Sequence, residues 1–335
     1  MSDALDKILI VRLSSLGDIL HSLPGVAALR EAFPSAQMDW VVQRKWSPLL
    51  EGSAAVNCVI PFDPSPMGRV VACIRQLRAT RYDAAVDFQG LYKSALLTYF
   101  SGARRRVGFD WRSSREWGAS SFYSERVRGG GPHRVEKNLS LVEVLGVARP
   151  AEPQFPLCVP EGATSKIKER LAAQGIGEYW VVAPAAGWGS KTWPAERYAA
   201  VCRELEKRHG WRAVIAAGPG EQQLGREVRD AAAPSQPVRL ETSLSELMAL
   251  LASARCVLGG DTGPLHLAAA LGVPVVGLYG ATDPAQTRPF TRKAIVICHA
   301  RPEETSYDRR RDPSPVMLAI TVEEVMEAVE KSWSA

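Results

Sequence analysis

Several turns of this chain carry side chains of the types that do chemistry. In "RLSSLGDILHSLP", residues 12–24, Asp18 stands among small and apolar residues just after the first apolar run, residues 8–11 (Ile-Leu-Ile-Val). A carboxylate in such an N-terminal turn is kept ionised by local amides and the helix dipole, so its pKa falls. That suits a general base and not a general acid, although a simple helix cap would also place an acid there. In "VLGGDTGPLHLAAALGVPVVGLYGATDP", residues 257–284, a strand ends at Gly259-Gly260 and a turn carries Asp261, Thr262 and Gly263. Pro264 then opens a helix, a position that proline favours. The free amides of that first turn make an anion site fit for a diphosphate, with Thr262 and His266 as further donors. Asp261 repels phosphate and instead suits sugar hydroxyls, a nearby cation, or a plain N-cap.

A cation stands in "APAAGWGSKTWPAERY", residues 183–198, where Lys191 follows a glycine loop. A Walker A loop needs glycine directly before the lysine, and Ser190 occupies that place. Lys191 therefore reads as a flexible point charge for a diphosphate, or as an ordinary exposed lysine. In "VIAAGPGEQQLG", residues 214–225, Gly218 and Gly220 lack the third glycine of the dinucleotide fingerprint. Glu221 there suits a ribose diol and equally the acid that first helical turns favour. No second acid lies at a fixed short spacing from Asp18, so paired-carboxylate glycoside hydrolysis is not indicated. One base early and one diphosphate site late describe a group transfer, in which a hydroxyl is deprotonated while a nucleotide leaves.

Positioning these turns requires a regular scaffold. Strand candidates fall at 7–12, 38–42, 57–61, 83–87 and 105–108, and again at 179–183, 212–217, 255–259, 274–279 and 294–298. Helix-period segments such as 24–32, 69–79, 195–208 and 244–252 alternate with them. Such alternation predicts parallel sheets covered by helices on both faces. At 335 residues two domains are expected. The run "ARPAEPQFPLCVPEG", residues 148–162, carries Pro150, Pro153, Pro156 and Pro160 and reads as an extended linker. The expected fold is α/β, two Rossmann-like sheets facing across a cleft, with domains at 1–155 and 156–320. A last helix over 321–335, opened by the Thr321/Glu324 capping box, is expected to pack back toward the first domain.

Charge placement is informative. Net charge is +5, and residues 101–137 hold nine Lys or Arg against four acids, an excess equal to that of the whole chain. A solvated basic face is the bland reading, and a dock for an anionic partner is the sharper one. Trp111, Trp117, Phe122 and Tyr123 are interleaved, which suits a ligand both anionic and amphiphilic. A nucleic-acid binder rests on the arginines alone and predicts steeply salt-dependent binding. The six cysteines are scattered without a C-x-x-C pair and are expected as buried free thiols. Asp3, Asp6 and Arg12 leave no room for a secretory h-region, and no apolar run reaches the ~20 residues of a membrane span. A cytoplasmic chain is expected, free to touch a membrane surface.

The motifs "SSLGDILHSLP" (14–24), "DFQGLYKSAL" (87–96), "VGFDWRSSREWGASSFY" (107–123), "HRVEKNLSL" (133–141), "KTWP" (191–194) and the D-T-G-x-x-H block within 259–284 occur in order over almost the whole chain. The chain resembles glycosyltransferase family 9, the ADP-heptose:lipopolysaccharide heptosyltransferases, and within it the first inner-core enzyme. The resemblance implies a GT-B fold, an ADP-heptose donor in the C-terminal domain, inversion at the anomeric carbon, and neither metal nor cofactor. It implies Asp18 as the base. Lys191, Thr262, Gly263 and the helix from Pro264 would steady the departing ADP, Asp261 and His266 would lie near heptose and phosphates, and Glu221 near the ribose. The acceptor would be Kdo-lipid A at the cytoplasmic face of the inner membrane, met peripherally by Arg104, Arg105, Arg106, Arg112, Arg115, His133 and Arg134, with Arg69 as a further candidate. Nucleic acid is not an implied partner. Where family members often carry a hydroxyl before the lysine, this chain has Ala185, Ala186 and Gly187, and the polar tail 298–313 has no assigned role. The alternatives are a family 9 enzyme with another nucleotide sugar or acceptor, and a non-catalytic binding module on the same scaffold.

Overall fold

In the computed structural model, residues 5–184, 188–218, 222–280, 282–305 and 313–334 are described. The chain divides into two units, Met1–Cys158 and Val159–Ala335. Between the last helix of the first unit and the first helix of the second, residues 147–160 form neither helix nor strand, as four prolines dictate.

The first unit runs β1 (Lys7–Val11), α1 (Leu16–Ala32), β2 (Gln37–Gln43), β3 (Cys58–Phe62), α2 (Met67–Thr80), β4 (Ala84–Asp87), α3 (Tyr92–Phe100), β5 (Arg105–Phe109), β6 (Glu125–Val127) and α4 (Arg134–Glu143). Its sheet has the order β3-β2-β1-β4-β5-β6, every pair parallel. Ile8 to Val11 are fully buried, because a central parallel strand is covered on both faces and reads as an unbroken apolar run. Connectivity reverses between β1 and β4, where Val11 pairs with Asp87. Ligands collect beyond the carboxyl ends of strands at such a switch point.

The second unit runs α5 (Glu161–Ala172), β7 (Tyr179–Ala183), α6 (Ala195–His209), β8 (Arg212–Ala217), α7 (Gln222–Ala231), β9 (Val238–Glu241), α8 (Leu244–Ala252), β10 (Val257–Gly260), α9 (Gly263–Ala270), β11 (Val275–Tyr279), α10 (Pro284–Thr287), β12 (Ala294–Cys298), α11 (Pro315–Ala319) and α12 (Val322–Trp333). The order β12-β11-β10-β7-β8-β9 repeats the topology of the first sheet, with its switch point between β7 and β10. Gly259 of β10 is required by close approach, since a Cβ there would lie 2.8 Å from the Ala183 carbonyl oxygen of β7.

Three expectations change. Strands β6 and β9 are absent from the sequence reading because both are short, charged edge strands (Glu125-Arg126-Val127 and Val238-Arg239-Leu240-Glu241) with little apolar signal. Helix α1 starts at Leu16 rather than near Pro24 and keeps Pro24 inside it. Helix α12 has the expected capping box, Thr321 with Glu324, and buries Val325, Met326 and Val329 in the core of the second unit, where Trp333 also stacks on Trp211. Of the six free cysteines, Cys73, Cys202 and Cys256 are buried, whereas Cys58 and Cys158 are exposed.

Candidate active site

In the first unit the site begins where β1 ends. Asp18 is the third residue of α1 and part of a capping box: the Ser15 backbone N–H and Oγ both donate to its Oδ2, at 3.3 and 3.1 Å. Its other oxygen faces cations. Arg12 Nη2 lies 2.9 Å from Oδ1, Arg115 Nη2 2.7 Å and Arg134 Nη1 3.7 Å. The carboxylate is 11% exposed and Arg12 only 5%, while Arg115 and Arg134 keep 40% and 30%. Burial by itself pushes Asp18 upward. Arg12 first, then Arg115, Arg134 and His21, outweigh it and hold the carboxyl well below the usual carboxylate range. Burial also brings Arg12 down, to about 10, which leaves it charged at neutral pH. The sequence reading credited the dipole and amides with this ionisation; guanidinium groups do most of it.

Neighbouring strands hold this arrangement rigid. Arg12 also donates to the Phe88 carbonyl, and buried Gln89 accepts from the Leu13 N–H at 2.9 Å, which ties the β4 end to the loop before α1. Gly90 turns the chain there with φ +67°, a conformation that favours glycine. Asp87 is fully buried and accepts from Tyr123 Oη at 2.8 Å; the Tyr123 ring lies so close over Gly108 that a Cβ there would be 2.3 Å away. From α4, the Asn138 amide donates to the His21 carbonyl of α1 at 2.9 Å.

The basic segment splits by role. Arg115 and Arg134 converge on Asp18. Arg105 forms a two-pronged pair with Glu125 at 2.7 and 2.8 Å, bracing β5 to β6. Arg106 donates to the Phe122 and Ala103 carbonyls and lies over the Tyr99 ring. His133 is buried and caps α4, accepting from the Val135 N–H at 3.1 Å. Arg69 pairs with Asp63, Arg104 lies 4.0 Å from Asp83, and Arg112 sits over the Trp111 ring. Tyr92, Leu96, Tyr99 and Phe100 form an exposed stripe along α3, with exposed Trp117 nearby, Lys93 on the same helix and Arg106 over the Tyr99 ring.

In the second unit, Asp261 follows β10. Lys191 Nζ donates to its Oδ2 at 2.6 Å and Thr282 Oγ1 to the same oxygen at 2.9 Å. His266 Nε2 lies 3.0 Å from Oδ1, and the Tyr279 hydroxyl 3.5 Å. Burial pushes Asp261 up, but His266 and Lys191 outweigh it and hold this carboxyl, too, well below its usual range. Lys191 and Asp261 are 10% and 8% exposed, so the lysine is engaged rather than a free surface charge, and its Nζ also lies 4.3 Å over the Trp188 ring. Thr262 is the N-cap of α9, which opens at Gly263, one residue before Pro264. The buried Thr262 Oγ1 has no hydrogen-bond partner among the described residues. That hydroxyl and the free amides of the first turn of α9 point to an anion. Glu221 lies outside the described residues, as do 185–187 and 306–312.

Arg12, Gln89, Tyr279 and Thr282 entered the site without a sequence assignment. Arg12 had one signal, a cation closing an otherwise apolar strand. Thr282 and Tyr279 reach Asp261 from the end of β11 and beyond it, a proximity that sheet order creates.

Two Rossmann-like units of identical strand order, each with a buried acid at its switch point, make this a GT-B glycosyltransferase fold. A family model described as glycosyltransferase family 9 (heptosyltransferase) matches residues 70–315, and the chain belongs to that family. It is 32% identical over 305 residues to lipopolysaccharide heptosyltransferase 1 of Pseudomonas aeruginosa, covering 86% of this chain and 82% of that one. Relatives named heptosyltransferase 2 and 3, both of Escherichia coli K12, match at 30% (87% of each chain) and 27% (94% of each). Among solved structures, E. coli ADP-heptose heptosyltransferase II superposes with TM-score 0.83 at 26% identity over 98% of both chains. E. coli heptosyltransferase WaaC with ADP gives 0.78 at 29% identity over 97% of this chain and 99% of that chain.

Proposed function

We propose that this chain transfers L-glycero-D-manno-heptose from ADP-heptose to a Kdo hydroxyl of Kdo-lipid A, with inversion and without a metal, in inner-core lipopolysaccharide synthesis. The observation that carries this reading is the ionised, enclosed Asp18 with three guanidinium groups at one oxygen. A base in so cationic a setting matches an acceptor that carries carboxylates beside its reacting hydroxyl. The acceptor hydroxyl gives its proton to Asp18 as its oxygen forms the new bond to the anomeric carbon. The bond from that carbon to the ADP oxygen breaks, and its electron pair leaves with ADP. The amides at the start of α9, Thr262 and Lys191 meet the diphosphate charge that develops. WaaC has been solved with ADP and with ADP-2-deoxy-2-fluoro heptose, which supports the donor.

The exposed aromatic stripe of α3, with Lys93 on the same helix and Arg106 over the Tyr99 ring, supports peripheral docking at the cytoplasmic face of the inner membrane. No helix among the described residues is long and apolar enough to cross a membrane. The relatives of types 2 and 3 favour one second reading, a family 9 transferase with a different acceptor.

The test is ADP release from ADP-L-glycero-D-manno-heptose by wild type and Asp18→Asn, with and without deacylated Kdo-lipid A. Acceptor-dependent release by wild type alone is expected. Equal release by Asp18→Asn would refute the base, and no release with donor still bound would turn the reading to another acceptor.

A further inference from the structure

The three arginines around Asp18 create a difficulty for the base they surround. A carboxylate whose one oxygen is shared by three guanidinium groups, and whose other accepts two bonds from Ser15, binds a proton weakly. General bases work best with pKa values near the working pH. Some of the positive charge must leave Asp18 before it takes a proton efficiently.

The arginines differ in their freedom to leave. Arg12 is buried at the end of β1 and anchored a second time on the Phe88 carbonyl. Arg115, on the loop after β5, and Arg134, the first residue of α4, are partly exposed and have Asp18 as their ion partner. The remaining charged or titratable groups facing the acid are His21 on α1, with the edge of His133 set against its ring, and Asp87 at the end of β4, which acts on Arg12. None of these replaces a mobile guanidinium.

We propose that Arg115 and Arg134 are shared between Asp18 and a carboxylate of the acceptor, so that the bound anion draws them away and frees the base its own hydroxyl requires. The acceptor's charge then performs two tasks. It anchors the sugar, and it switches on Asp18. Arg115 and Arg134 are specificity-determining positioning residues: they keep Asp18 a poor base toward neutral acceptors, which bind without releasing it. This rests on the reading of Asp18 as the base that receives the acceptor proton while the new glycosidic bond forms and ADP departs.

The consequence appears in kcat and not only in KM. Each unit by which the anion raises the pKa of Asp18 corresponds to about a tenfold change in proton affinity. Wild type should turn over deacylated Kdo-lipid A up to roughly 10²-fold faster at saturation than the same acceptor with its Kdo carboxylates converted to carboxamides, if each released arginine is worth about one unit and the rate follows proton affinity in full. The double variant Arg115→Gln/Arg134→Gln should bind the carboxylate acceptor less tightly yet turn over the carboxamide faster than wild type does, by up to roughly 10²-fold on the same reckoning. The acid limb of kcat should lie at higher pH with the carboxylate acceptor than with the carboxamide, because the freed acid protonates sooner as pH falls. ADP binding by calorimetry checks that each variant is folded, and the single variant Arg115→Gln should give an intermediate gain. A folded double variant that turns over the carboxamide no faster than wild type overturns the switch while leaving Asp18 as base. Asp18→Asn with undiminished kcat on both acceptors would refute the base reading itself, and the switch with it.

Discussion

Asp18 and Asp261 each lie in the segment that follows a switch-point strand, in two sheets of the same order: Asp18 follows the first strand of its unit and Asp261 the fourth of its own. Both side chains are largely withdrawn from water, and cations hold both well below the ordinary carboxylate range. They differ in what surrounds them. Asp261 is enclosed by Lys191, His266, Thr282 and Tyr279, a set almost entirely withdrawn from water. Asp18 has one buried partner, Arg12, and two that reach it from partly exposed positions. A closed set fixes a loop and a lysine in place for a phosphate. An open set can exchange partners with a ligand. Identical topology therefore supports a rigid site in one unit and an exchangeable one in the other.

The largest expected effect breaks the comparison at the chemistry. Asp18→Asn should lower transfer by ~10²–10⁴-fold, as for loss of a positioned base, while ADP binding stays within a few-fold of wild type. Single-turnover ADP release together with calorimetry separates the two quantities. Asp261→Ala should act oppositely on stability, because it strands Lys191 and His266 in a buried site. A loss of about 3–5 kcal/mol is expected in denaturant unfolding, as for removal of one partner of a buried pair. Asp18→Ala should cost less, since Arg115 and Arg134 can turn to solvent. Equal losses would show that the two sets are not different in kind.

Acid sharpens the contrast. Each aspartate has a folded-state pKa below its unfolded value, so its contribution to stability is complete above the unfolded value, about 4, and is lost as pH falls toward the folded one. Thermal unfolding of the wild type should therefore weaken progressively below about pH 4. Asp261→Asn should flatten that acid dependence, and an unchanged slope would count against Asp261 as a depressed, ion-paired acid. The smallest effect concerns the surface. Tyr99→Ser with Phe100→Ser on α3 should reduce sedimentation with phosphatidylglycerol vesicles a few-fold while leaving turnover of a soluble acceptor unchanged. Undiminished vesicle binding would remove this stripe from the membrane contact.

Much of the architecture was legible because its signals are local. Apolar runs marked the central strands, the prolines of 148–162 marked the join, and Thr321 with Glu324 marked the start of α12. The edge strands β6 and β9 escaped because three or four residues, half or more of them charged, are too few to establish a period. Arg105 and His133 illustrate a different limit. The resemblance implied acceptor contacts for them, and only the fold shows that Glu125 and the Val135 N–H also engage them.

What the sequence alone determined is the position of each acid relative to its own strand. Asp18 and Asp261 follow apolar runs closely, and a carboxylate placed there stands at the end of a buried strand wherever the strand lies in the sheet. The partners were decided by tertiary structure. Arg115 and Arg134 are 97 and 116 residues from Asp18, and Lys191 is 70 from Asp261. The order β3-β2-β1-β4-β5-β6 and its counterpart in the second sheet bring those loops together. Sequence spacing cannot encode that proximity, because Coulomb attraction falls with distance in space and is indifferent to distance along the chain.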